Sequence, residues 1–387
     1  MNKYGVLLSI YLGGLLIGLV LVSFPASSGF IVDKIGLNGE QYGSIYLPQL
    51  VLAIIGALGG GTAIRFMSLK TMWALSLLCF FFSQVAFVAS SHVDPAIAVY
   101  LIMLATAFFG FGFGFGGGPV NGLAAMAFPK HSNSALTALH VTAGLGLTLG
   151  PLIFSKAIGA GNWTSVPYSL AVVSLFVFIV TLMTKLPEQP PATEETNANI
   201  PSKSLYFWLI MVVAVFYALA EGTFSNWAVL YVQESKALSP QTAGLSLSAF
   251  WGALTLGRLI TSILLVKIKP INIWLLLPPL MAAALFILPQ TAGATQVILA
   301  FAFAGLACSS FFPLMVAVTS EPFPHAISYI GSMLTAALMF GVGIGSYVIG
   351  KYRSAFSLDD LYTYSMLYPI IALVLILVAR RQLKSKT

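Results

Sequence analysis

The chain has 387 residues, of which 58% are apolar and 7% charged, against about a quarter charged in a soluble domain. No soluble fold of that length can bury so much apolar surface, and a mean hydropathy of +0.94 with 35 Gly suits helices that face lipid and pack closely. The net charge of +7 does not point to nucleic acid, because the basic residues stand singly at the ends of apolar runs and form no patch.

Lys3, the apolar stretch from Tyr4 to Phe24 and the small residues Pro25-Ala26-Ser27-Ser28 superficially resemble a secretory leader. The stretch exceeds the ~7–15 residues of a leader core and similar stretches follow it, so it reads as an uncleaved first helix. A membrane span needs about 20 apolar residues. Twelve candidates stand between polar or Pro/Gly punctuation, at 5–31, 41–63, 71–90, 96–118, 133–157, 166–184, 205–232, 241–266, 272–289, 294–318, 326–350 and 362–380. The Pro-rich, acidic stretch 186–204 cannot span and reads as a cytoplasmic linker between six-helix bundles at 1–185 and 205–387. The expected fold is an all-α membrane protein of twelve transmembrane helices in two pseudo-symmetric bundles.

Orientation follows from the retention of Lys and Arg on the cytoplasmic side. With the N-terminus inside, that side holds Lys3, Arg65, Lys70, Lys130, Lys185, Lys203, Lys267, Lys269, Arg380, Arg381, Lys384 and Lys386; the other holds Lys34, Lys156, Lys236, Lys351 and Arg353. Both termini are therefore expected in the cytoplasm. Short loops fit a bacterial inner membrane.

The halves resemble each other at a shift of 195 residues, which sets Gly110 on Gly305, Phe128-Pro129 on Phe323-Pro324, Gly146 on Gly341 and Gly150 on Gly345. Gln41-Tyr42-Gly43 matches Gln241-Thr242-Ala243-Gly244 at a slightly different shift. Such duplication places a substrate site near the bilayer midplane between the halves. The run Gly110 to Gly118 before Pro119 either packs helices closely or lines the substrate path.

Twelve spans, a polar central linker and a six-plus-six repeat resemble the major facilitator superfamily over essentially the whole chain. Gly59 to Lys70 stands where that family's loop between the second and third helices lies, but lacks its usual Asp. Three patterns resemble the fucose-permease-like branch: Gly112-x-Gly114-x-Gly116 with Asn121, Leu139-His140 with Gly144, Gly146, Gly150 and Pro151, and Ala220-Glu221-Gly222 with Asn226-Trp227 and Tyr231. A competing pattern, Gly146-Leu147-Thr148-Leu149-Gly150-Pro151, resembles the antiporter motif of drug–proton exporters without its completing glycines. The resemblance implies alternating access by a carrier that works as a monomer.

Charged side chains at mid-membrane are costly and commonly functional. Glu221 lies about four turns into the seventh span, where it would couple protons or bind substrate unless Arg258 simply neutralises it. Arg258 suits gating or anchoring, and Glu321 a pairing across a gate. Asn226 and Trp227 suit a polyhydroxylated solute, although they point away from Glu221 unless the helix breaks, for which Gly222 offers a place. Asn121 and His140, then Gln49 and Tyr46, are the substrate candidates of the first half; interhelical hydrogen bonding is the alternative for each. Asp33 and Glu40 read as solvated.

Cys79 and Cys308 sit in apolar runs, and with four His the chain offers neither a metal site nor a catalytic constellation. No phosphate-binding glycine loop with Lys is present, and no cofactor is implied. The expectation is a secondary transporter of a small polar, sugar-like solute, driven by proton symport in a lipid bilayer. Proton-coupled export of drugs, siderophores or other amphipathic metabolites is the alternative.

Overall fold

The computed structural model describes residues 3–187, 201, 204–323 and 326–384. Most of the expected linker, the Pro324 of the repeat and Lys203, Lys384's side chain and Lys386 lie outside the described residues. Among those described, twelve helices are long and apolar enough to cross a membrane. They are α1 (Tyr4–Ala26), α2 (Gly39–Ala63), α3 (Leu69–Ser90), α4 (Pro95–Ala127), α5 (Pro129–Gly159), α6 (Ser165–Met183), α7 (Leu205–Asn226), α8 (Pro240–Leu264), α9 (Pro270–Gln290), α10 (Ala294–Ser320), α11 (Tyr329–Tyr352) and α12 (Leu358–Gln382). The chain divides into two compact units at Thr193/Glu194.

In the first unit α2 packs on α4, α1 on α5, and α3 on both α4 and α6. The second unit repeats these pairings with α8 on α10, α7 on α11, and α9 on α10 and α12. The matched glycines explain the repetition. A Cβ on Gly110 would strike the Gln49 carbonyl of α2, and one on Gly305 would strike the Phe250 carbonyl of α8. Likewise Gly146 meets the Leu15 carbonyl of α1, and Gly341 the Val215 carbonyl of α7. Backbone-to-backbone approach of this kind is open to small residues alone.

The glycine run of α4 splits by face. Gly110 and Gly114 abut α2 at Gln49 and Ala53, while Gly112 and Gly116 abut α3 at Cys79 and Ser76. Gly117 and Gly118 have open space where a side chain would stand. With its glycines packed on two neighbours, α4 continues through Pro119 to Ala127, nine residues past the expected end.

The expected break at Gly222 is not found. The helix runs unbroken through Gly222, whose missing side chain leaves room for Val342 of α11, and the break falls at Trp227. There the Thr223 carbonyl, which Trp227 N–H would bond in a continuing helix, accepts the Tyr362 hydroxyl at 2.9 Å. Helix α1 breaks at the matching place, Ser27, and both segments then pass through a wide turn, Ile31–Ile35 and Tyr231–Ser235.

A second break divides α10 between Cys308 and Phe311. Pro313 has no N–H to offer the carbonyl four residues back, so Ser309 is left without a helical donor. This interruption, absent from the sequence-based span at 294–318, positions the polar cluster below.

Candidate functional site

Glu221 projects from α7, partly exposed, one turn after Tyr217. The Tyr217 hydroxyl and the Arg258 guanidinium of α8 both act electrostatically on the Glu221 carboxyl. Both partners also reach the α10 break: Tyr217 donates to the Cys308 carbonyl at 3.2 Å, and Arg258 Nε to the Ser309 carbonyl at 3.0 Å. Gly257 brings α8 against the Ser309 side chain. The Tyr217 ring stacks on Phe311, centroids 4.4 Å apart, and Trp274 of α9 tilts against Phe311 at 5.5 Å. An acid, a cation, a phenol and two opened carbonyls thus share one place among apolar helices, with Arg258 exposed and Glu221 half-buried.

The sequence already offered Arg258 as the residue that would neutralise Glu221, and the guanidinium acts electrostatically on that carboxyl. Tyr217 and the Ser309-Ser310 break escaped sequence reading. Tyr217 was visible as the residue four before Glu221, and the break as Pro313 following two serines.

Asn226 and Trp227 are not brought to Glu221. Asn226 Nδ2 donates to Ser346 Oγ of α11 at 2.8 Å. Trp227 is fully buried, with the Arg353 guanidinium 5.7 Å from its ring centroid. Arg353 pairs in turn with Glu234. Nearby, Lys236 pairs with Asp359 at 3.0 Å, and Tyr231 donates to the same Asp359 oxygen at 2.7 Å. These charges tie the turn after α7 to the α11–α12 connection. Glu321, at the end of α10, is exposed and acts electrostatically on Tyr206 of α7.

In the first unit, Tyr46 is buried and its hydroxyl lies 2.7 Å from that of Tyr42. Gln49 is buried one turn further along α2, where its backbone takes the close approach of Gly110. Asn121 turns back on its own helix, donating to the Gly117 carbonyl at 2.7 Å, and His140 stands exposed on α5. Asp33 lies in the wide turn after α1, and Glu40 in the first turn of α2. Among the described residues no three His, Cys, Asp or Glu side chains converge to hold a metal.

The sequence model described as Major Facilitator Superfamily matches residues 6–296, more than half of the chain. A Helicobacter pylori protein described as a proposed glucose/galactose transporter is 26% identical over 242 residues, covering 57% of this chain and 59% of that relative, less than two thirds of its length. Among solved structures, that of a D-xylose–proton symporter superposes with a TM-score of 0.79 at 16% identity, covering 98% of this chain and 97% of the other. The nucleoside transporter NupG superposes at 0.75 and 15% identity, covering 98% and 99%. The twelve helices, their repeated pairings and the family match agree, and the chain belongs to the Major Facilitator Superfamily as a multi-pass membrane protein.

Proposed function

We propose that the chain is a proton-coupled symporter of a small polar, sugar-like solute, working by alternating access. One observation carries the reading: Glu221, an acid inside an apolar span, stands one helical turn from Tyr217, and both that hydroxyl and the Arg258 guanidinium of α8 act on its carboxyl. A carboxyl so placed can lose its proton only where the cation compensates the charge, which suits an acid that is loaded and unloaded. The descriptions of the Helicobacter relative and of the xylose–proton symporter support the substrate class and the coupling ion. In this reading Glu221 couples and Arg258 anchors, with Asn121, His140, Gln49 and Tyr46 as the polar contacts of the first half. Asn226 and Trp227, committed to α11 and Arg353, serve to position α7. The carrier works as a monomer with both termini in the cytoplasm of a bacterial inner membrane, its bundles at 1–185 and 205–387.

The antiporter-like pattern at Gly146 to Pro151 favours export less well. Its glycines pack α5 on α1, and their counterparts Gly341 and Gly345 pack α11 on α7, as a structural repeat requires.

Thermal stabilisation of the purified protein by a panel of sugars, amino acids, organic acids and lipophilic cations, across a pH series, tests the proposal, since a ligand of the folded state raises apparent stability. A sugar that stabilises wild type, and whose pH-dependent uptake into proteoliposomes becomes pH-independent in Glu221→Gln, supports it. Stabilisation by lipophilic cations alone, or unchanged pH dependence in Glu221→Gln, overturns it.

A further inference from the structure

We propose that Tyr217 transmits the protonation state of Glu221 to the break in α10, so that one proton decides whether that break is pinned. The inference rests on Glu221 being the coupling acid. Tyr217 carries one hydroxyl proton, donated to the Cys308 carbonyl at 3.2 Å, and stands one helical turn from a competing acceptor, the Glu221 carboxyl, which acts on it. It cannot serve both well at once.

With Glu221 ionised, the charge-assisted bond is the stronger and draws the tyrosine O–H toward the carboxylate, the proton staying on Tyr217. The Cys308 carbonyl then loses its donor at a point where the helix is already open. With Glu221 protonated, the carboxyl O–H donates to the tyrosine oxygen, and Tyr217 is released to donate to Cys308. The only proton gained or lost is the one on Glu221; Tyr217 stays neutral and merely turns its O–H.

Arg258 reinforces the same switch. Its Nε holds the adjoining Ser309 carbonyl at 3.0 Å, and its charge attracts Glu221 when that group is ionised. Among the described residues, the other titratable group acting on this site is the Cys308 thiol, which Glu221 influences from α7. From α12, Tyr362 bonds the Thr223 carbonyl and Tyr368 lies by Phe216, while α11 faces α7 with Val342 and Ser346. Arg258 is therefore the cation answering Glu221. The Tyr217 ring, stacked on Phe311 just beyond the break, moves with the segment it pins.

Hydrogen–deuterium exchange of the purified full chain in nanodiscs, read on peptides covering residues 306–316 and corrected for intrinsic rates, tests this from about pH 5 to about pH 9. In wild type, protection should rise about tenfold as pH falls, the worth of roughly one hydrogen bond. Glu221→Gln, whose amide donates as the protonated acid does, should be protected at every pH. Tyr217→Phe, which keeps the ring stack, should be unprotected at every pH. A flat wild-type profile overturns the proposal without recourse to any variant. If Glu221→Gln loses the pH dependence but Tyr217→Phe keeps it, the role of Tyr217 alone fails. If Glu221→Gln keeps it, the coupling role of Glu221 fails as well.

Discussion

Arg258 fills a vacancy that Pro313 creates. Pro313 cannot donate to the Ser309 carbonyl, and Arg258 Nε, arriving from α8, donates to it at 3.0 Å. The cation is thereby fixed beside Glu221 by backbone as well as by charge. Removing it should do two separable kinds of damage, to the helix and to the acid.

Arg258→Gln should lower the apparent melting temperature and abolish uptake, because Glu221 is left without its compensating charge. Adding Glu221→Gln should restore part of the lost stability, a coupling of about 1 kcal/mol, without restoring uptake. Thermal unfolding of the two single variants and the double variant measures this. Strictly additive losses would show that the two residues do not interact.

Pro313→Ala supplies the missing N–H, which can then bond Ser309 directly. A straighter α10 should melt at a higher temperature yet transport more slowly, as expected when a functional site holds strain. Uptake at wild-type rate in a stabilised Pro313→Ala protein would mean that the break has no part in transport.

Glycines that look alike in sequence should respond oppositely to alanine. Gly110→Ala and Gly305→Ala each drive a methyl into a backbone carbonyl of the adjoining helix, and each should cost about 1–3 kcal/mol. Gly117→Ala meets open space and should gain up to about 1 kcal/mol from the stiffer helix. Melting temperatures of the three variants check the order. Equal effects at Gly110 and Gly117 would contradict the packing described.

The duplication made much of this fold legible in advance. Gly110 and Gly305, or Gly146 and Gly341, align because each must pass a neighbouring backbone, and a steric need of that kind leaves a fixed residue at a fixed spacing. Apolar length gave the twelve spans on the same ground, since lipid tolerates few other sequences. Breaks were harder to read. Gly222 looked like the weak point of α7, but a helix stops where its carbonyls find other donors, and Tyr362 supplies one at Thr223, leaving the break at Trp227. Glu221 was evident from the cost of its charge, whereas Tyr217 was not, because a tyrosine in an apolar span looks like any other ring until its hydroxyl is placed.

The ion pair between Lys236 and Asp359 should respond asymmetrically to truncation. The Lys236 side chain is 8% exposed and Asp359 38%, so the lysine depends on its partner while water already screens the carboxylate. Asp359→Ala leaves a buried cation with the Pro289 carbonyl at 2.8 Å and the Tyr231 ring but no counter-charge, and deprives Tyr231 of its acceptor. Lys236→Met leaves Asp359 bonded to Tyr231 and partly hydrated. The first should therefore lower the melting temperature clearly, by the equivalent of about 1–3 kcal/mol, and the second by well under about 1 kcal/mol. Because Lys236 is enclosed, added salt should narrow this difference little. A larger loss in Lys236→Met would mean that its contact with the Tyr231 ring, 5.3 Å from Nζ to the centroid, outweighs the ion pair in tying the turn after α7 to α12.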